Sequence, residues 1–409
     1  MSVPISRRGV LVAGAGVAAG VTVPAATAQA RTNSGSSVKF VVNAETLDGG
    51  EQVVALTLDT SRLGPIDPNG LDEKTFSVHV KATNPIAGST GGEYDVDRPV
   101  TRAWVDRRGR VVLELLHGEG QIGASTLGYI PDKGRNVRLN LVFTITQNTP
   151  LGRRHGKPLI IEKFEQGDLV NPEVDAFSYH GSEATLKYRL FKPGRGKRPL
   201  IVWLHGGGEG ALLPDNYYDN ETTLRANRGA LGFATREAQQ IFGGAYVVAP
   251  QSTSAWLQDG PRFAPLIRQI VKEVADRYDV DRDRIYVAGC SNGGYMSLKM
   301  TTVYPDVFAA SVPICSVVEG NPPMIPDSEL TAIRTPTWLV ASLDDDTVDP
   351  QANTIHAHDL IPHSKATLYE HVIWNGYQFP GHWSWIYVAR NDPSSRGTHI
   401  WQWMARQRS

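Results

Sequence analysis

The stretch Gly289-Cys290-Ser291-Asn292-Gly293-Gly294 decides the fold expected for the second half of this chain. It follows a short apolar run, 285–288, and precedes a helical pattern that continues to about residue 304. A serine flanked by glycines between a buried strand and a helix is typical of the G-x-S-x-G elbow, a sharp turn that exposes the serine hydroxyl above a sheet. We therefore predict that Ser291 is a nucleophile.

Short apolar runs alternate with helical patterns on both sides of this elbow. The runs cover residues 200–204, 245–249, 285–288, 309–314 and 337–341. Uninterrupted apolar runs of this length are typical of parallel strands that are covered on both faces. Between them, apolar residues recur at helical spacing, most clearly over 263–278. We predict an open, mostly parallel α/β sheet over residues 171–409.

A nucleophilic serine needs a base that takes its proton. We predict His382 for this role, because it follows Gly381 in a loop after the last expected strand, 368–373, and precedes a helical segment. The other histidines of this region are expected to be structural or to lie on a solvated helix: His356, His358, His363, His371 and His399.

An acidic segment supplies the candidates for the residue that orients this histidine. In sheets of this kind the acid comes between serine and histidine along the chain. The acids are Asp344-Asp345-Asp346, which follow the expected strand 337–341 after Ser342 and Leu343. A calcium loop is disfavoured, because the acids lack the alternating spacing that such loops need. We favour Asp346, and spacing alone leaves Asp345 and Asp344 as alternatives.

A glycine-rich segment, His205-Gly206-Gly207-Gly208-Glu209-Gly210, follows the run 200–204. Residues without side chains allow backbone N–H groups to approach the oxyanion that forms during acyl transfer. We predict an oxyanion hole from the amide of Asn292 and one amide of Gly207 or Gly208, with Glu209 as a further donor. A phosphate-binding loop is disfavoured, because no Lys-Ser/Thr pair follows the glycines.

Four segments together carry a family resemblance. They are the glycine-rich segment 205–210, the elbow 289–295, the acidic segment 346–350 and the histidine segment 381–385. In this order they resemble secreted α/β-hydrolases of the esterase and polyhydroxyalkanoate-depolymerase-like group, which borders the prolyl-oligopeptidase-type hydrolases. The resemblance implies an α/β-hydrolase fold with a Ser-His-Asp triad whose acid falls on Asp346. The His-Gly that usually precedes this acid is Ser342-Leu343 here.

Residues 38–170 have a different pattern from the rest of the chain. Apolar residues alternate with polar ones in segments such as 76–81 and 137–146, and turn signals separate the segments. This spacing predicts an all-β sandwich of immunoglobulin-like type. No residue in it suggests chemistry. Some esterases of the resembled group carry an N-terminal domain of this kind, so the resemblance implies a match over most of the mature chain.

The N-terminus suggests export. Arg7 and Arg8 precede a run of small and apolar residues, 10–23, and small-x-small cleavage sites end at Ala30. This pattern resembles a twin-arginine signal peptide over residues 1–30, with an ordinary secretory signal or a disordered basic start as alternatives. No segment is long and apolar enough to predict a membrane span. We therefore expect a secreted, extracytoplasmic protein.

Charge and the two cysteines limit the partners and the site. With 41 Lys+Arg against 42 Asp+Glu, the chain lacks the basic excess that nucleic acid or an anionic membrane requires. Cys290 and Cys315 end neighbouring expected strands, so a disulfide and two buried free thiols are equal alternatives. The aromatic residues near the motifs, which are either acyl-pocket walls or core residues, are Trp256, Tyr295 and Trp383.

Together these patterns predict a secreted serine hydrolase that cleaves carboxylic esters through an acyl-enzyme. The expected partner is an ester substrate, and neither a metal nor an organic cofactor is implied. A peptidase of prolyl-oligopeptidase type is the catalytic alternative, although no propeller repeat is present in the sequence. The non-catalytic alternative is a binding protein with a degenerate hydrolase fold.

Overall fold

The computed structural model describes residues 37–181, 186–211 and 218–409. The predicted signal peptide, residues 1–30, lies outside this part of the chain. Residues 36–409 form one compact unit. Within the described residues, no helix has the length and apolar character needed to cross a membrane.

The first ten strands build two packed sheets and a hairpin, together called the sandwich below. A five-stranded sheet has the order β10-β1-β2-β6-β5, a three-stranded sheet the order β4-β3-β9, and β7 pairs with β8. The bounds are β1 Ser37–Leu47, β2 Gly50–Leu58, β3 Phe76–Thr83, β4 Tyr94–Arg98, β5 Val100–Val105, β6 Val111–Leu115, β7 Leu127–Ile130, β8 Arg135–Arg138, β9 Asn140–Gln147 and β10 Lys163–Val170.

Alternation along the strands places one face of each sheet in a shared apolar core. In β3, Phe76, Val78 and Val80 are buried and the residues between them are not, and the core also contains residues of β1, β6 and β9. One expectation was wrong, since 137–146 is not a single strand. It divides at Leu139, whose N–H donates to the carbonyl of Thr126 over 2.9 Å on the β7 side, whereas β9 pairs with β3 from Asn140 onward. This break makes β7–β8 a separate hairpin.

The second part of the chain alternates strands and helices as expected. Its strands are β11 Phe177–His180, β12 Tyr188–Phe191, β13 Arg198–Leu204, β14 Tyr246–Pro250, β15 Val280–Cys290, β16 Ala310–Ile314, β17 Trp338–Ser342, β18 Lys365–Tyr369, β19 Val372–Trp374, β20 Tyr377–Phe379, β21 Ser394–Ser395 and β22 Thr398–His399. Its helices are α1 Pro172–Asp175, α2 Thr222–Arg225, α3 Gly229–Ala234, α4 Arg236–Phe242, α5 Gly260–Arg277, α6 Asn292–Val303, α7 Asp327–Leu330, α8 His356–Leu360, α9 Trp385–Ala389 and α10 Ile400–Arg406.

Eight of these strands form one mixed sheet, in the order β11-β12-β14-β13-β15-β16-β17-β18. Strands β14 to β18 run parallel, and β12 is antiparallel to β14. Side chains of β13 enter two apolar cores in turn: Leu200 and Val202 face α5 and α6, whereas Ile201 and Trp203 face α3, α4 and α10. Helices on both faces explain why the strands are apolar without alternation.

Buried ionic contacts join the sandwich to the part of the chain that carries the mixed sheet. The carboxylate of Glu51 in β2 is fully buried and pairs with Arg225 of α2. Its second oxygen accepts a hydrogen bond from Thr126 over 2.6 Å. Asp48 and Arg390 form a bidentate pair at 2.9 and 2.8 Å. These contacts hold the sandwich beside the carboxyl ends of the parallel strands.

Candidate active site

Ser291 lies at the turn between β15 and α6, in a strained backbone conformation with φ 54° and ψ −115°. The surrounding glycines permit this turn. A Cβ atom on Gly293 would lie 1.9 Å from the carbonyl oxygen of Leu204, and one on Gly289 would lie 2.5 Å from the carbonyl oxygen of Gly293. No side chain fits at such distances, so the elbow requires glycine at both positions. The N-terminus of α6 begins directly after the serine and favours negative charge there.

His382 and Asp345 form a buried pair across two loops. His382 Nδ1 lies 2.8 Å from Asp345 Oδ2, with side-chain exposures of 12% for the histidine and 0% for the aspartate. Asp345 Oδ1 accepts the backbone N–H groups of Thr347 and Val348, each over 2.9 Å. Three hydrogen bonds thus satisfy the buried carboxylate and leave it able only to accept from the imidazole.

The structure therefore corrects the choice of Asp346. Its side chain is exposed, and its Oδ1 accepts only the neighbouring Thr347 hydroxyl over 3.3 Å among the contacts of the described residues. Asp344 does contact a histidine, His371, over 2.8 Å, but the two side chains are 31% and 52% exposed. In the loop between β17 and α8, the buried acid is therefore Asp345, the second of the three. Sequence spacing does not distinguish it from its two exposed neighbours.

The loop that carries His382 can approach Asp345 because it begins with a glycine. A Cβ atom on Gly381 would lie 2.4 Å from both the carbonyl oxygen and Oδ1 of Asp344. A short 3-10 turn, Gly381–Trp383, then presents the imidazole, whose ring packs edge-on to Trp385 with 5.6 Å between centroids. His382 follows the last strand of the mixed sheet along the chain, as predicted, but the expected strand 368–373 is not one strand: it is divided between the end of β18 and β19, which pairs with β20 in a separate sheet.

The predicted oxyanion residues gather beside Ser291. Gly207 and Gly208 belong to a 3-10 turn, Gly207–Glu209, directly after β13. A Cβ atom on Gly207 would lie 3.0 Å from the side-chain nitrogen of Asn292, so the two segments are in close contact. Asn292 is the first residue of α6, and the N–H groups of a first helical turn have no acceptor within their own helix. These amides are available to an oxygen in the cavity.

Two buried titratable groups flank this turn. His205 Nε2 accepts the N–H of Ser252 over 3.0 Å, and its Nδ1 lies 2.5 Å from the carbonyl oxygen of Gly206. Burial lowers the pKa of His205 to about 4, against the opposing effect of that carbonyl. Burial raises the pKa of Glu209 to about 7, although the amides of Gly206 and Glu209 itself and the side chain of Asn136 oppose the rise.

The two cysteines are buried free thiols, so the disulfide alternative is not formed. Burial raises the pKa of the Cys290 thiol well above its usual value. Cys315 follows β16 with a positive φ of 38°, and its sulfur and the ligating atoms of Asp345 and His382 all lie within 4.8 Å of one another. Such a set could also hold a soft cation such as Zn²⁺.

Cys315 also affects the charge of the candidate base. Burial of the imidazole disfavours its protonated form. The Cys315 sulfur, through charge and hydrogen bonding, and the Asp345 carboxylate outweigh this effect and raise the pKa of His382 above its usual value. No motif indicates this contact, because Cys315 follows a strand and lies far from His382 along the chain.

One cavity of about 670 Å³ brings the predicted residues together. Its lining includes Ser291, Asn292, Gly207, Gly208, His382 and Trp383, and also Leu127, Tyr129 and Asn136 from the β7–β8 hairpin of the sandwich. Trp256 and Tyr295 are not among the lining residues. Trp256 is fully buried and donates its indole N–H to the carbonyl of His205 over 3.1 Å. Tyr295 is 3% exposed and packs in the apolar core, so both are core residues.

Parts of the chain are similar to known hydrolases. A family model described as the prolyl oligopeptidase family matches residues 267–331, which include the elbow. The poly(3-hydroxyalkanoate) depolymerase C of Paucimonas lemoignei is 35% identical over 129 residues, covering 28% of this chain and 27% of that protein. An acetylxylan esterase of Coprinopsis cinerea is 27% identical over 168 residues, covering 39% of this chain and 44% of that protein. This chain thus spans less than half the length of either curated relative.

A solved structure extends the likeness to nearly the whole chain. The crystal structure of a thermostable esterase superposes with a TM-score of 0.72 at 24% identity, and the match covers 90% of this chain and 99% of that one. At this level of identity the likeness establishes the fold. The mixed sheet of this protein, with helices on both faces, is that of an α/β hydrolase.

Proposed function

We propose that this protein is a serine hydrolase that cleaves carboxylic esters through an acyl-enzyme. The observation that carries the proposal is the shared cavity, in which Ser291 on its strained turn and His382, paired with the buried Asp345, both line the wall. A serine, an imidazole and an acceptor-only carboxylate in this order are what acyl transfer by serine requires.

The reaction proceeds in two stages. Ser291 Oγ attacks the ester carbonyl and its proton passes to His382 Nε2, while Asp345 holds Nδ1–H and stabilises the imidazolium. The amide of Asn292 and one of Gly207 or Gly208 bind the oxyanion. The tetrahedral intermediate then expels the alcohol, which takes the proton from His382. Water then attacks the acyl-serine as its proton passes to the same imidazole. The second tetrahedral intermediate releases the acid while Ser291 Oγ takes the proton back from His382.

Several findings support an ester over an amide substrate. The names of two relatives refer to an ester polymer and to acetyl esters of xylan. The match to the prolyl oligopeptidase family favours a peptidase as the second candidate. Against it, the described residues of the N-terminal part form a sandwich over the cavity, whereas a propeller would be expected in that family type. The proposal also includes export by a twin-arginine-type signal over residues 1–30, and a sandwich of immunoglobulin-like type over residues 38–170.

Ester and amide turnover distinguish the two candidates. The mature protein is assayed with p-nitrophenyl esters of two to twelve carbons and with peptidyl p-nitroanilides, beside Ser291→Ala. We expect ester turnover that is lost in the variant and little cleavage of the anilides. Higher kcat/KM for the anilides would replace the esterase proposal with the peptidase, and no turnover of either class would contradict both.

A further inference from the structure

The oxyanion turn is held by a residue from outside the region that carries the elbow. Asn136 lies on β8 of the sandwich, and its side-chain amide donates to Glu209 Oε1 over 3.3 Å. The same amide nitrogen would lie 2.9 Å from a Cβ atom on Gly208. The Asn136 side chain therefore packs against the backbone of the Gly207–Glu209 turn and donates a hydrogen bond to the side chain of Glu209, the last residue of the turn.

The Glu209 carboxyl group in turn organises the inside of this turn. It accepts hydrogen bonds from the backbone N–H groups of Gly206 and of Glu209 itself, and it is 7% exposed. Gly207 and Gly208 both line the cavity. Because the carboxyl group engages the amides of Gly206 and Glu209, the amides of Gly207 and Gly208 are the candidates for binding a substrate oxygen.

The backbone carbonyl of Glu209 is held independently from the opposite side. It accepts the side-chain amide of Gln251 over 2.9 Å and the hydroxyl of Thr222 over 3.2 Å. The backbone of Glu209 is therefore held by α2 and by the residue that follows β14, and its side chain is held by the sandwich. Loss of the Asn136 contact releases only the side-chain half of this clamp.

We propose that Asn136 and Glu209 are positioning residues for the oxyanion hole, so that the sandwich sets the geometry of a catalytic element in the α/β-hydrolase part. The inference rests on the proposed function, because it assigns Gly207 and Gly208 to acyl transfer. It gives the sandwich a specific role in the reaction, which its sequence did not suggest.

The test compares Asn136→Ala with Asn148→Ala. Asn148 is a matched control, since its side chain donates to the Lys74 carbonyl over 2.8 Å within the sandwich and away from the cavity. We expect Asn136→Ala to lower kcat for p-nitrophenyl acetate about tenfold with KM within about twofold. Binding of a trifluoromethyl ketone, which mimics the tetrahedral intermediate, is expected to weaken by the same factor. Asn148→Ala is expected to match the wild type in each measurement.

Three results would overturn the inference: an unchanged kcat in Asn136→Ala, a change in KM alone, or an equal loss in Asn148→Ala. Hydrogen–deuterium exchange of residues 205–210 provides a readout that does not depend on turnover. We expect the amides of Gly206 and Glu209 to exchange faster in Asn136→Ala. If the wild type turns over no ester, the proposed function fails, and the exchange measurement still decides whether Asn136 holds the turn.

Discussion

Nδ1 of His382 lies 2.8 Å from Oδ2 of Asp345, while the other carboxylate oxygen of Asp345 accepts the N–H groups of Thr347 and Val348. These two amides fix the orientation of the carboxyl group. They would also fix the orientation of the side-chain amide in an Asp345→Asn variant. Substitution can therefore identify the acid that pairs with the histidine.

In Asp345→Asn, the amide oxygen is expected to keep the two backbone N–H groups and direct its NH₂ at His382 Nδ1. The imidazole must then carry its proton on Nε2, where it cannot accept one from Ser291. We expect kcat to fall about 10³- to 10⁴-fold, measured with p-nitrophenyl acetate. The exposed neighbour provides the control, and Asp346→Asn is expected to stay within about twofold of the wild type. The reverse order of effects would restore Asp346 as the acid.

Cys315 is expected to shift the pH profile of the reaction. The base must be neutral to accept a proton, so kcat/KM rises with pH through the pKa of His382 in the free enzyme. Because the Cys315 sulfur raises this pKa, the rise should lie above the usual value of 6.5 in the wild type. In Cys315→Ala it should move to lower pH, with Cys315→Ser between the two. Identical profiles for all three proteins would show that the sulfur does not influence the base.

The buried Glu51–Arg225 pair is expected to stabilise the association of the sandwich with the rest of the chain. Glu51→Gln leaves the guanidinium without one of its buried carboxylate partners, and we expect a loss of about 3 kcal/mol in the free energy of unfolding by urea. The exposed pair Lys272–Asp276 is the comparison, and Lys272→Ala should cost less than about 0.5 kcal/mol. Equal effects of the two substitutions would mean that Glu51 does not anchor the sandwich.

Glu209 makes the stability of the protein depend on pH. Its pKa is about 7 in the folded protein against a usual 4.5, so the folded state holds a proton that the unfolded state releases. Its contribution is complete below pH 4.5 and is lost as the pH rises to about 7, by about 3 kcal/mol. His205, with its pKa lowered to about 4, has the opposite slope in the same range and masks this loss in the wild type.

Glu209→Gln removes the contribution of Glu209 to the pH dependence of the free energy of unfolding and keeps that of His205. Relative to the wild type, the variant is expected to gain stability between pH 4.5 and about 7, because the wild type alone loses the stability that comes from the proton on Glu209. Urea unfolding of both proteins at pH 4.5, 6 and 7.5 measures this difference. A stability difference that is constant over the three pH values would show that Glu209 does not retain its proton on folding.

The sequence predicted the parts of the site that depend on local structure. The elbow and the glycine turn follow the buried parallel strands β15 and β13, and the end of a parallel strand places its loop at one edge of the sheet. His382 instead follows the short antiparallel pair β19–β20, and is indicated by the glycine before it and the helical segment after it. Asp346 was the wrong choice because the direction in which adjacent loop residues point depends on tertiary hydrogen bonds, here from Thr347 and Val348 to Asp345. Trp256, for which the sequence left a pocket wall and the core as alternatives, lies in the core.

The contribution of the sandwich could not be predicted from its pattern. Asn136 directly precedes the segment 137–146, whose alternation indicated only a strand, and its contact with Glu209 joins positions 73 residues apart. Such a contact requires the sandwich to lie over the cavity, and the ion pairs of Glu51 and Asp48 are among the contacts that join the two parts. Polar side chains at a junction of this kind have no signature in a single sequence.

Covalent labelling examines the nucleophile itself. The mature protein is treated with a fluorophosphonate, digested, and analysed by mass spectrometry beside Ser291→Ala and His382→Ala. We predict one phosphonylated residue, Ser291, in the wild type, no label in Ser291→Ala, and labelling at least about 100-fold slower in His382→Ala. An unlabelled wild type, or an equal label in Ser291→Ala, would contradict the assignment of this site as that of a serine hydrolase.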